Sequence, residues 1–507
     1  MQRQHTTFLV LLLLGLCRSA WAEDGTFDLH DHLSLSASDR VRGEFVSWFN
    51  PAPPKSNNDY NFFANRLRFG ATLNFPTIEF VAEGQDTRLV NLPGSDSINS
   101  GAGTAGVGPL GPGALYFANT GSRDQGELFI HLGYATVRNF GLPGVAARVG
   151  RFGYNQGLEK VAQDPTLAWL QRARISQRLI GNFDYTNVGR SFDGVQAMYD
   201  RDPFNLTLMG SHPTAGGFNV NANQEIDKVD LIAATASLVE PVGLQPTSAQ
   251  FFYIFYRDRR DLKGAVVDNR TRDLPTGQQC TASNRSLIRA CDTNDIAIST
   301  IGADVVHVAS AGPGKVDVLG WAAGQVGDWE SLNQGAWAYA LEVGYQLPDV
   351  LLKPWLRLGF SRSSGDPNKN DGDHGTFFQI LPTARSYALM PFYNMMNNQD
   401  LFLQGVTRPL PGLSAAVSGH WLRATDSRDL WYAGGGATSD TFFGYSGVPA
   451  KGRHELSYLT DFEVNYAFNQ HLTVYVYYGR AFGQGITSAN FVGNNADYAY
   501  VETTVSF

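Results

Sequence analysis

Hydrophobic and polar residues alternate with hardly an exception through residues 455–468, near the end of the chain. The apolar positions are Leu456, Tyr458, Phe462, Val464, Tyr466 and Phe468. The polar positions between them are Glu455, Ser457, Asp461, Glu463 and Asn465. Because successive side chains of a strand point to opposite faces, this pattern predicts a β-strand with one apolar and one polar face.

Two further strands are predicted after it, over residues 471–482 and 496–507, and the last one ends on the aromatic residue Phe507. Soluble domains rarely end in this way. In outer-membrane barrels, by contrast, the last strand pairs with the first and so removes the open edge of the sheet. We therefore expect strand 496–507 to pair with the first predicted strand, 33–48.

The same alternation predicts about eighteen strands in total, joined by links that are long and short in turn. The long links include 49–60, 88–126, 153–189, 260–294, 363–397 and 425–454. The short links include 75–76, 139–144, 201–203, 241–247, 310–314, 347–350, 409–412 and 469–470. This pattern is typical of an all-β, transmembrane antiparallel β-barrel with periplasmic turns, extracellular loops and, for an even strand number, two periplasmic termini. A soluble β-sandwich or propeller would not gather its long loops at one end.

Composition and the first residues agree with an exported barrel. Residues 1–22 have the features of a signal peptide, with Arg3, an apolar core over residues 8–16 and a cleavage site at Ala20-Trp21-Ala22. Residues 23–507 are then expected to form a single outer-membrane β-barrel domain in a Gram-negative bacterium. The mean hydropathy of −0.20 resembles that of a soluble protein, but lipid-facing and lumen-facing residues of a barrel average out in any window.

Strand alternation also assigns a face to each charged residue. In the first strand Val41 and Phe45 are expected to face lipid, and in the second strand Leu67 and Phe69 do the same. The side chains that this assignment turns into the lumen, there and on later strands, are Arg40, Arg42, Glu44, Arg66, Arg68, Arg148 and Arg357. The first two strands therefore place four arginines in one cluster.

This arginine cluster supports two hypotheses. Arginine binds carboxylates through two parallel hydrogen bonds and stays charged in a confined pore, so the cluster is suited to guide an anionic solute. Alternatively, the arginines only stiffen the wall by pairing with lumen carboxylates, for which the candidates are Glu44, Glu79, Glu83, Asp461 and Glu463. The net charge of −8 does not by itself favour anion passage.

Other kinds of chemistry have weaker support in the sequence. Residues 28–32 contain two His and two Asp, but they lie at the expected mature N-terminus. Residues 366–373 resemble a calcium loop, yet Phe377 stands where an EF-hand needs a bidentate Glu. No Ser or Cys lies at a spacing from His131 or His420 that would predict a catalytic pair of nucleophile and base. We therefore expect no enzymatic activity, no metal site and no cofactor.

Three stretches of the chain resemble the alginate-export family of outer-membrane barrels. The first is Arg148-Val-Gly-Arg-Phe152 with Asn155-Gln-Gly-Leu-Glu159, the second runs from Arg172-Ala-Arg-Ile-Ser-Gln-Arg178 to Gly189-Arg-Ser-Phe-Asp-Gly194, and the third runs from Leu356-Arg-Leu-Gly359 through Ser364-Gly-Asp-Pro-Asn368 to Leu381-Pro-Thr383. The resemblance implies an eighteen-stranded barrel that passes an anionic uronate polymer through an arginine-lined pore. The candidate pore residues that lie within its motifs are Arg148, Arg151, Arg174, Arg190 and Asp193.

Three functions remain open from the sequence. The first is export of an alginate-like uronate polysaccharide, with periplasmic export partners. The second is uptake of a small organic anion or sugar acid, because every predicted periplasmic turn is short and only the long outer loops can plug the pore. The third, suggested by the long loops alone, is a binding or adhesin barrel. The expected partners are therefore an anionic polysaccharide or a small organic anion, together with outer-membrane lipid, and no nucleic acid.

We predict a disulfide between Cys280 and Cys291, the pair that remains when Cys17 is removed with the signal peptide. Export to an oxidising compartment and an even cysteine count favour it. A bridge over this short loop is expected to stabilise the fold by ~2–3 kcal/mol, because it constrains the unfolded chain. Mass spectrometry of a non-reduced digest should find the two cysteines in one cross-linked peptide; two free thiols in the exported protein would contradict the prediction.

Overall fold

Eighteen antiparallel strands form one closed sheet in the computed structural model. The structure describes residues 32–51, 57–99, 108–262, 266–272, 295–383 and 389–507. The strands are β1 Leu33–Ser47, β2 Asp59–Asn74, β3 Ile78–Val90, β4 Gln125–Arg138, β5 Val145–Phe152, β6 Phe192–Arg201, β7 Phe204–Pro213, β8 Val229–Val239, β9 Thr247–Asp258, β10 Ile296–Ala311, β11 Gly314–Trp329, β12 Leu332–Gln346, β13 Trp355–Ser363, β14 Asn398–Leu410, β15 Leu413–Ala424, β16 Glu455–Ala467, β17 Leu472–Gly483 and β18 Asn495–Ser506. The predicted architecture and strand number are confirmed.

The barrel closes where its first strand meets its last. β1 pairs on one side with β2 and on the other with β18, where Ser38 stands opposite Ser506. Beyond that pair, the amide of Ala37 donates to the carbonyl of Phe507 at 3.1 Å, and the amide of Phe507 donates back at 2.8 Å. The predicted pairing of the last strand with the first is therefore confirmed.

The outer surface of the barrel is apolar. Every second residue of a strand points outward, and the residues at these positions are mostly hydrophobic. Leu35 is 75% exposed and Phe45 is 51% exposed, whereas Arg40 and Glu44 on the same strand are buried. Such a belt is what a barrel presents to the hydrocarbon of a bilayer. Within the residues that the structure describes, no helix is both long and apolar enough to cross a membrane.

The connections differ strongly between the two ends of the barrel. Short turns, such as Asp202-Pro203 between β6 and β7, lie at the end of the barrel where β1 begins and β18 ends. The long loops lie at the other end and contain most of the helices. These are α1 Pro112–Thr120, α2 Pro165–Leu170, the π-helix Gln171–Ile175, α3 Asn269–Arg272 and α4 Gly485–Asn490. We refer to the two ends as the short-turn end and the long-loop end.

Several long loops fold back into the barrel and pack there. The β13–β14 loop contributes Phe378 and Leu381, which are at most 1% exposed. Phe378 packs against Phe443 and Tyr445 of the β15–β16 loop, with ring centroids 6.2 and 5.7 Å apart. That loop forms its own two-stranded ladder, in which Leu430–Gly434 pairs with Tyr445–Pro449. The barrel therefore contains an apolar core that its own loops supply.

Asp429 joins these two loops. Its buried carboxylate accepts hydrogen bonds from the Thr376 hydroxyl at 2.6 Å, the Asp366 amide at 2.9 Å, the Tyr432 hydroxyl at 2.8 Å and the Leu430 amide at 2.7 Å. Burial raises the pKa of Asp429 to about 7, although these hydrogen bonds act in the opposite direction. The strength of the contact between the two loops therefore depends on whether Asp429 is protonated near neutral pH.

We predict that the two loops are held more firmly in mild acid than in mild base. A folded-state pKa above the ordinary value means that the stabilising effect is complete below that ordinary value and is lost as the pH rises through about 7. The protection factors of residues 364–383 and 425–454, which are exchange rates corrected for the intrinsic effect of pH, should fall by roughly tenfold or more between pH 5 and 8, the effect of about one pKa unit of coupling. Asp429→Asn should remove this dependence, and Asp371→Asn, at an exposed position of the β13–β14 loop, should keep it. Equal protection of the wild-type loops at both pH values would contradict the prediction.

Candidate functional site: the arginine-rich lumen

The loop between β5 and β6, residues 153–191, crosses the lumen, and we call it the plug loop. The wall behind it is short, because β5 has 8 residues and β6 has 10. The plug loop reaches the short-turn end, where the Lys160 ammonium lies 2.7 Å from the carboxylates of both Asp200 and Asp202. Glu240, at the β8–β9 turn, accepts hydrogen bonds from the Gln163 and Asp164 amides at 2.6 and 2.8 Å. The plug loop therefore starts partway along the barrel wall and is anchored at the short-turn end.

Local sequence explains why the plug loop becomes helical at that point. Asp164 precedes Pro165, and its carboxylate accepts hydrogen bonds from the Thr166 and Leu167 amides at 2.9 and 3.0 Å. An acidic N-cap followed by proline at the first helical position is a strong start signal for a helix. The resulting helix α2 leads into the π-helix Gln171–Ile175, which carries Arg172 and Arg174. The helical turn therefore presents arginines inside the barrel.

Arginines on β1 and β2 hold the other part of the plug loop. Arg40 and Arg66 stand directly opposite each other in the strand register. Arg40 donates to the carbonyls of Asp184 and Thr186 at 2.8 and 2.7 Å. Arg66 and Arg68 donate to the Asp184 carboxylate at 3.2 and 2.8 Å. Burial raises the pKa of Asp184, but Arg68 and Arg66 outweigh that effect and hold it below its ordinary value.

Arg42 completes this cluster with two wall carboxylates. It lies 2.6 Å from Glu502 and 3.5 Å from Glu44, and it donates to the Tyr185 carbonyl of the plug loop at 2.9 Å. Its guanidinium also lies 4.5 Å from the centre of the Tyr500 ring. All four predicted arginines of β1 and β2 therefore bind protein groups, and carboxylates compensate much of their charge.

A second charged cluster forms around Glu342, which β12 directs into the barrel. Its carboxylate accepts from Arg174 at 2.9 Å, from Arg178 at 3.3 Å and from Arg357 at 2.8 Å. Arg357 also pairs with Asp317, which accepts a hydrogen bond from the Trp355 indole at 2.8 Å. One buried carboxylate thus binds two arginines of the plug loop and one of the wall.

Some of the remaining predicted residues lie inside the barrel, and others lie on its outer face. Arg148 lies 4.5 Å from the Tyr134 ring centre and donates to Thr136 at 3.1 Å, on the inward face. Arg190 is buried, donates to the Gly435 carbonyl at 2.6 Å, and so ties the plug loop to the β15–β16 loop. Burial lowers its pKa to about 10, which leaves it charged at neutral pH.

The assignment of Arg151 and Asp193 to the pore is wrong. The two residues stand opposite each other, and so do Val149 and Val195, two positions away on the same face. Val195 is 56% exposed, which makes this the outer face of the barrel. Arg151 and Asp193 form a paired contact there, with N–O distances of 2.7 and 2.6 Å. Their motif indicated family membership, but strand parity already excluded them from the lumen.

A cavity of about 210 Å³ lies between the plug loop and the wall, and the predicted pore residue Arg174 lines it together with residues that were not predicted as pore residues. The plug loop contributes Trp169, Arg172 and Arg174, and the opposite wall contributes Asp461 and Glu463. The sequence predicts the two acids only as partners for the lumen arginines. The position of both acids on the polar face of β16 is the sequence signal that could have assigned them to the site. For Arg172 the only such signal is that it lies in a family motif.

The disulfide prediction cannot be compared with this geometry, because Cys280 and Cys291 lie outside the described residues. The same holds for the expected signal peptide, residues 1–22. In the ranges that the structure does describe, no group of three or more His, Cys, Asp or Glu side chains has an arrangement that could hold a metal ion.

We predict that Glu342→Gln destabilises the barrel by roughly 3–5 kcal/mol, because it leaves buried arginines without their shared carboxylate. The free energy of unfolding, measured in urea with the barrel in lipid vesicles, reports this change. Glu455→Gln is the matched control: its partner Arg423 lies 3.0 Å away and both side chains are only partly buried, so the loss of this pair should cost less than about 1 kcal/mol. Equal effects of the two substitutions would show that Glu342 is not a structural anchor.

Comparison with solved structures shows the same fold in several porins. OccAB2 of Acinetobacter baumannii has a TM-score of 0.56 at 9% identity, over 96% of this chain and 99% of that one. OpdK of Pseudomonas aeruginosa, determined with vanillate, has a TM-score of 0.53 at 9% identity, over 94% and 98%. A BenF-like porin of Pseudomonas fluorescens Pf-5 has a TM-score of 0.54 at 10% identity, over 94% and 99%. A comparison with curated proteins finds no match.

A family model is more specific than these structural likenesses. The model described as alginate export matches residues 31–502, which is nearly the whole chain. Family membership and the porin-like fold together place the protein in the bacterial outer membrane, where short turns face the periplasm and long loops face the exterior. The chain therefore belongs to the alginate-export family of outer-membrane β-barrel proteins.

Proposed function

We propose that this protein is an outer-membrane channel for uronate-type anions, and that with the plug loop in place it passes single sugar acids or short oligomers. The observation that carries the proposal is Arg172. It is exposed at the lumen cavity, and no carboxylate of the described residues forms an ion pair with it. A free guanidinium at the cavity is available to bind the carboxylate of a passing solute.

The other lumen arginines have different tasks. Arg40, Arg42, Arg66 and Arg68 contact the plug loop or wall carboxylates, and Arg174 binds Glu342. An arginine that already holds a carboxylate is a weaker anion site, because a solute must compete with that partner. We therefore assign solute contact to Arg172 and positioning of the plug loop to the β1–β2 cluster.

The size of the cavity supports a small solute. At about 210 Å³ it lies below the range of roughly 300–1,000 Å³ that is typical for drug-sized ligands. The plug loop is also held from both sides, at Asp184 by Arg66 and Arg68 and at Lys160 by Asp200 and Asp202. An extended polymer would first have to displace this loop.

We predict that Arg172→Gln shifts the reversal potential of the reconstituted channel toward cations. It should also weaken block by glucuronate about tenfold, which corresponds to ~1.4 kcal/mol, close to the lower bound for a charge-assisted hydrogen bond. The control is Arg201→Gln, at an exposed arginine where β6 meets its short turn, and it should leave both quantities unchanged. Unchanged selectivity and block in Arg172→Gln, or a barrel that conducts no ions at all, would refute the proposal.

The double variant Arg66→Gln and Arg68→Gln separates the two roles. Because both arginines bind Asp184, their loss should release the plug loop, and conductance should rise while anion selectivity is largely kept. A loss of selectivity without a change in conductance would instead assign the β1–β2 cluster to the solute path.

Export of a uronate polymer is the second candidate, and the family match favours it. It requires that the anchor at Lys160 opens, since Asp200 and Asp202 hold the plug loop at the short-turn end. Lys160→Gln should then increase the flux of uronate oligomers through the barrel in vesicles more than it increases the flux of glucuronate. Equal changes for both solutes would favour the small-solute channel.

A further inference from the structure

We propose that the outer wall over β12–β16 binds the phosphate group of a lipid in the outer leaflet of the membrane. Near the long-loop end, one row of side chains crosses five neighbouring strands, and each member stands directly opposite the next in the strand register. We call it the arginine row, and its members are Tyr339, Arg362, Gln399, Arg423 and Glu455. The row lies on the lipid side of the wall, so this inference does not depend on the solute of the channel.

Strand parity places the arginine row outside the barrel. Arg362 shares a face of β13 with Leu356 and Leu358, which are 62% and 49% exposed, whereas Arg357 on the same strand is buried in the lumen. Arg362 and Arg423 are the second-last residues of β13 and β15, and both of these strands end at the long-loop end. The row therefore lies at the outer edge of the apolar belt.

The next row toward the short-turn end is entirely apolar and aromatic. It consists of Leu341, Phe360, Leu401, Trp421 and Tyr458, again with each residue opposite the next. Aromatic side chains of this kind mark the level at which hydrocarbon meets lipid headgroups. The arginine row is thus placed at headgroup height, directly above a surface that suits acyl chains.

The two arginines of the row differ in their charge balance. Arg362 forms no ion pair or hydrogen bond with any described residue, and its guanidinium lies 5.6 Å from the centre of the Trp337 ring. Arg423 lies 3.0 Å from Glu455, which also accepts a hydrogen bond from the Trp421 indole at 2.9 Å. The row therefore contains two guanidinium groups and one carboxylate, and it has an excess of positive charge.

Other outward arginines at the long-loop end are paired with acids. Arg88 on β3 lies 2.8 Å from Asp86, and Arg480 on β17 lies 3.4 Å from Asp497. Arg257 on β9 lies 2.6 Å from Asp295 and stands opposite a further acid, Asp230, in the strand register. The excess charge of the arginine row is therefore not a general property of this rim.

A phosphorylated lipid matches the arginine row in both charge and position. Guanidinium groups bind phosphate through paired, charge-assisted hydrogen bonds. The two arginines are separated by one strand, which corresponds to about 10 Å, and Gln399 between them adds an amide that can donate to the same headgroup. The long-loop end faces the exterior, where the outer leaflet of a Gram-negative outer membrane is rich in phosphorylated glycolipid. A free phosphate would gain the same hydrogen bonds but not the contact with the apolar row, and we therefore assign the site to the lipid.

Native mass spectrometry of the full-length barrel in detergent micelles tests this assignment, with lipid A as the titrated probe. The wild-type barrel should retain one lipid A molecule. Arg362→Gln and Arg423→Gln should each weaken the apparent affinity by about fivefold, the contribution of one cationic side chain at a lipid surface. The double variant should weaken it by roughly twenty-five-fold, because the two contributions add. Lipid A from which both phosphates have been removed should bind the wild-type barrel as weakly as lipid A binds the double variant.

Arg257→Gln is the matched control, because it removes an outward arginine at the same end of the barrel from a site that acids already neutralise. It should leave the retention of lipid A unchanged. Each variant is first checked for the wild-type shift in electrophoretic mobility on heating, which reports a folded barrel. Conductance and block by glucuronate should also be unchanged in the row variants, since these residues face away from the lumen. If Arg423→Gln fails to fold, Arg362→Gln and the phosphate-free lipid still decide.

Three outcomes would overturn the inference. The first is equal retention of lipid A by the wild-type barrel and the row variants, or equal retention of lipid A and its phosphate-free form. The second is an equal loss of affinity in Arg257→Gln, which would show that overall charge and not the arginine row attracts the lipid. The third is complete displacement of lipid A by millimolar inorganic phosphate, which would assign the row to a free anion. None of these outcomes bears on the proposed channel function, which is measured separately as conductance and block.

Discussion

Hydrocarbon offers no hydrogen-bond partners to a polypeptide backbone, and this constraint determines the rest of the structure. Only a closed sheet satisfies every backbone group of a strand-built membrane protein. Here the closure depends on β1, which pairs with β2 and β18, and on the reciprocal bonds of Ala37 and Phe507 at its end. Once the sheet is closed, each strand has an inside and an outside, and the period of two in the sequence becomes a division between lumen and lipid.

A closed barrel creates a second problem, because it turns many arginines toward one another. Arg40 and Arg66 stand directly opposite each other, a position in which like charges destabilise a sheet. The plug loop resolves this by supplying Asp184 and main-chain carbonyls, and Glu342 has the same role for Arg174, Arg178 and Arg357. The arginines therefore hold the plug loop in place as much as they define an electrostatic path.

The same contacts relate structure to transport. The plug loop is fixed by Asp184 near one wall, by Glu342 near another and by Lys160 at the short-turn mouth. Between these anchors it leaves a small cavity in which Arg172 faces wall acids that have no ion pair among the described residues. In the channel that we propose, Arg172 supplies the charge that selects the solute, and release of the plug loop would widen the path. Charge selectivity and the size limit would then depend on different residues.

The sequence by itself determined the strands, their number, the closure and the faces of β1 and β2, since these depend on a period of two and on link lengths that are local in the chain. The same parity placed Arg151 and Asp193 outside, against the motif-based assignment. Only the tertiary structure decided which charges pair. Asp184 meets Arg68 across 116 residues, and Arg174 meets Glu342 across 168. No periodicity encodes such contacts, because they arise where an irregular loop folds back into the barrel, and that is why only the folded chain shows Arg172, Asp461 and Glu463 at one cavity.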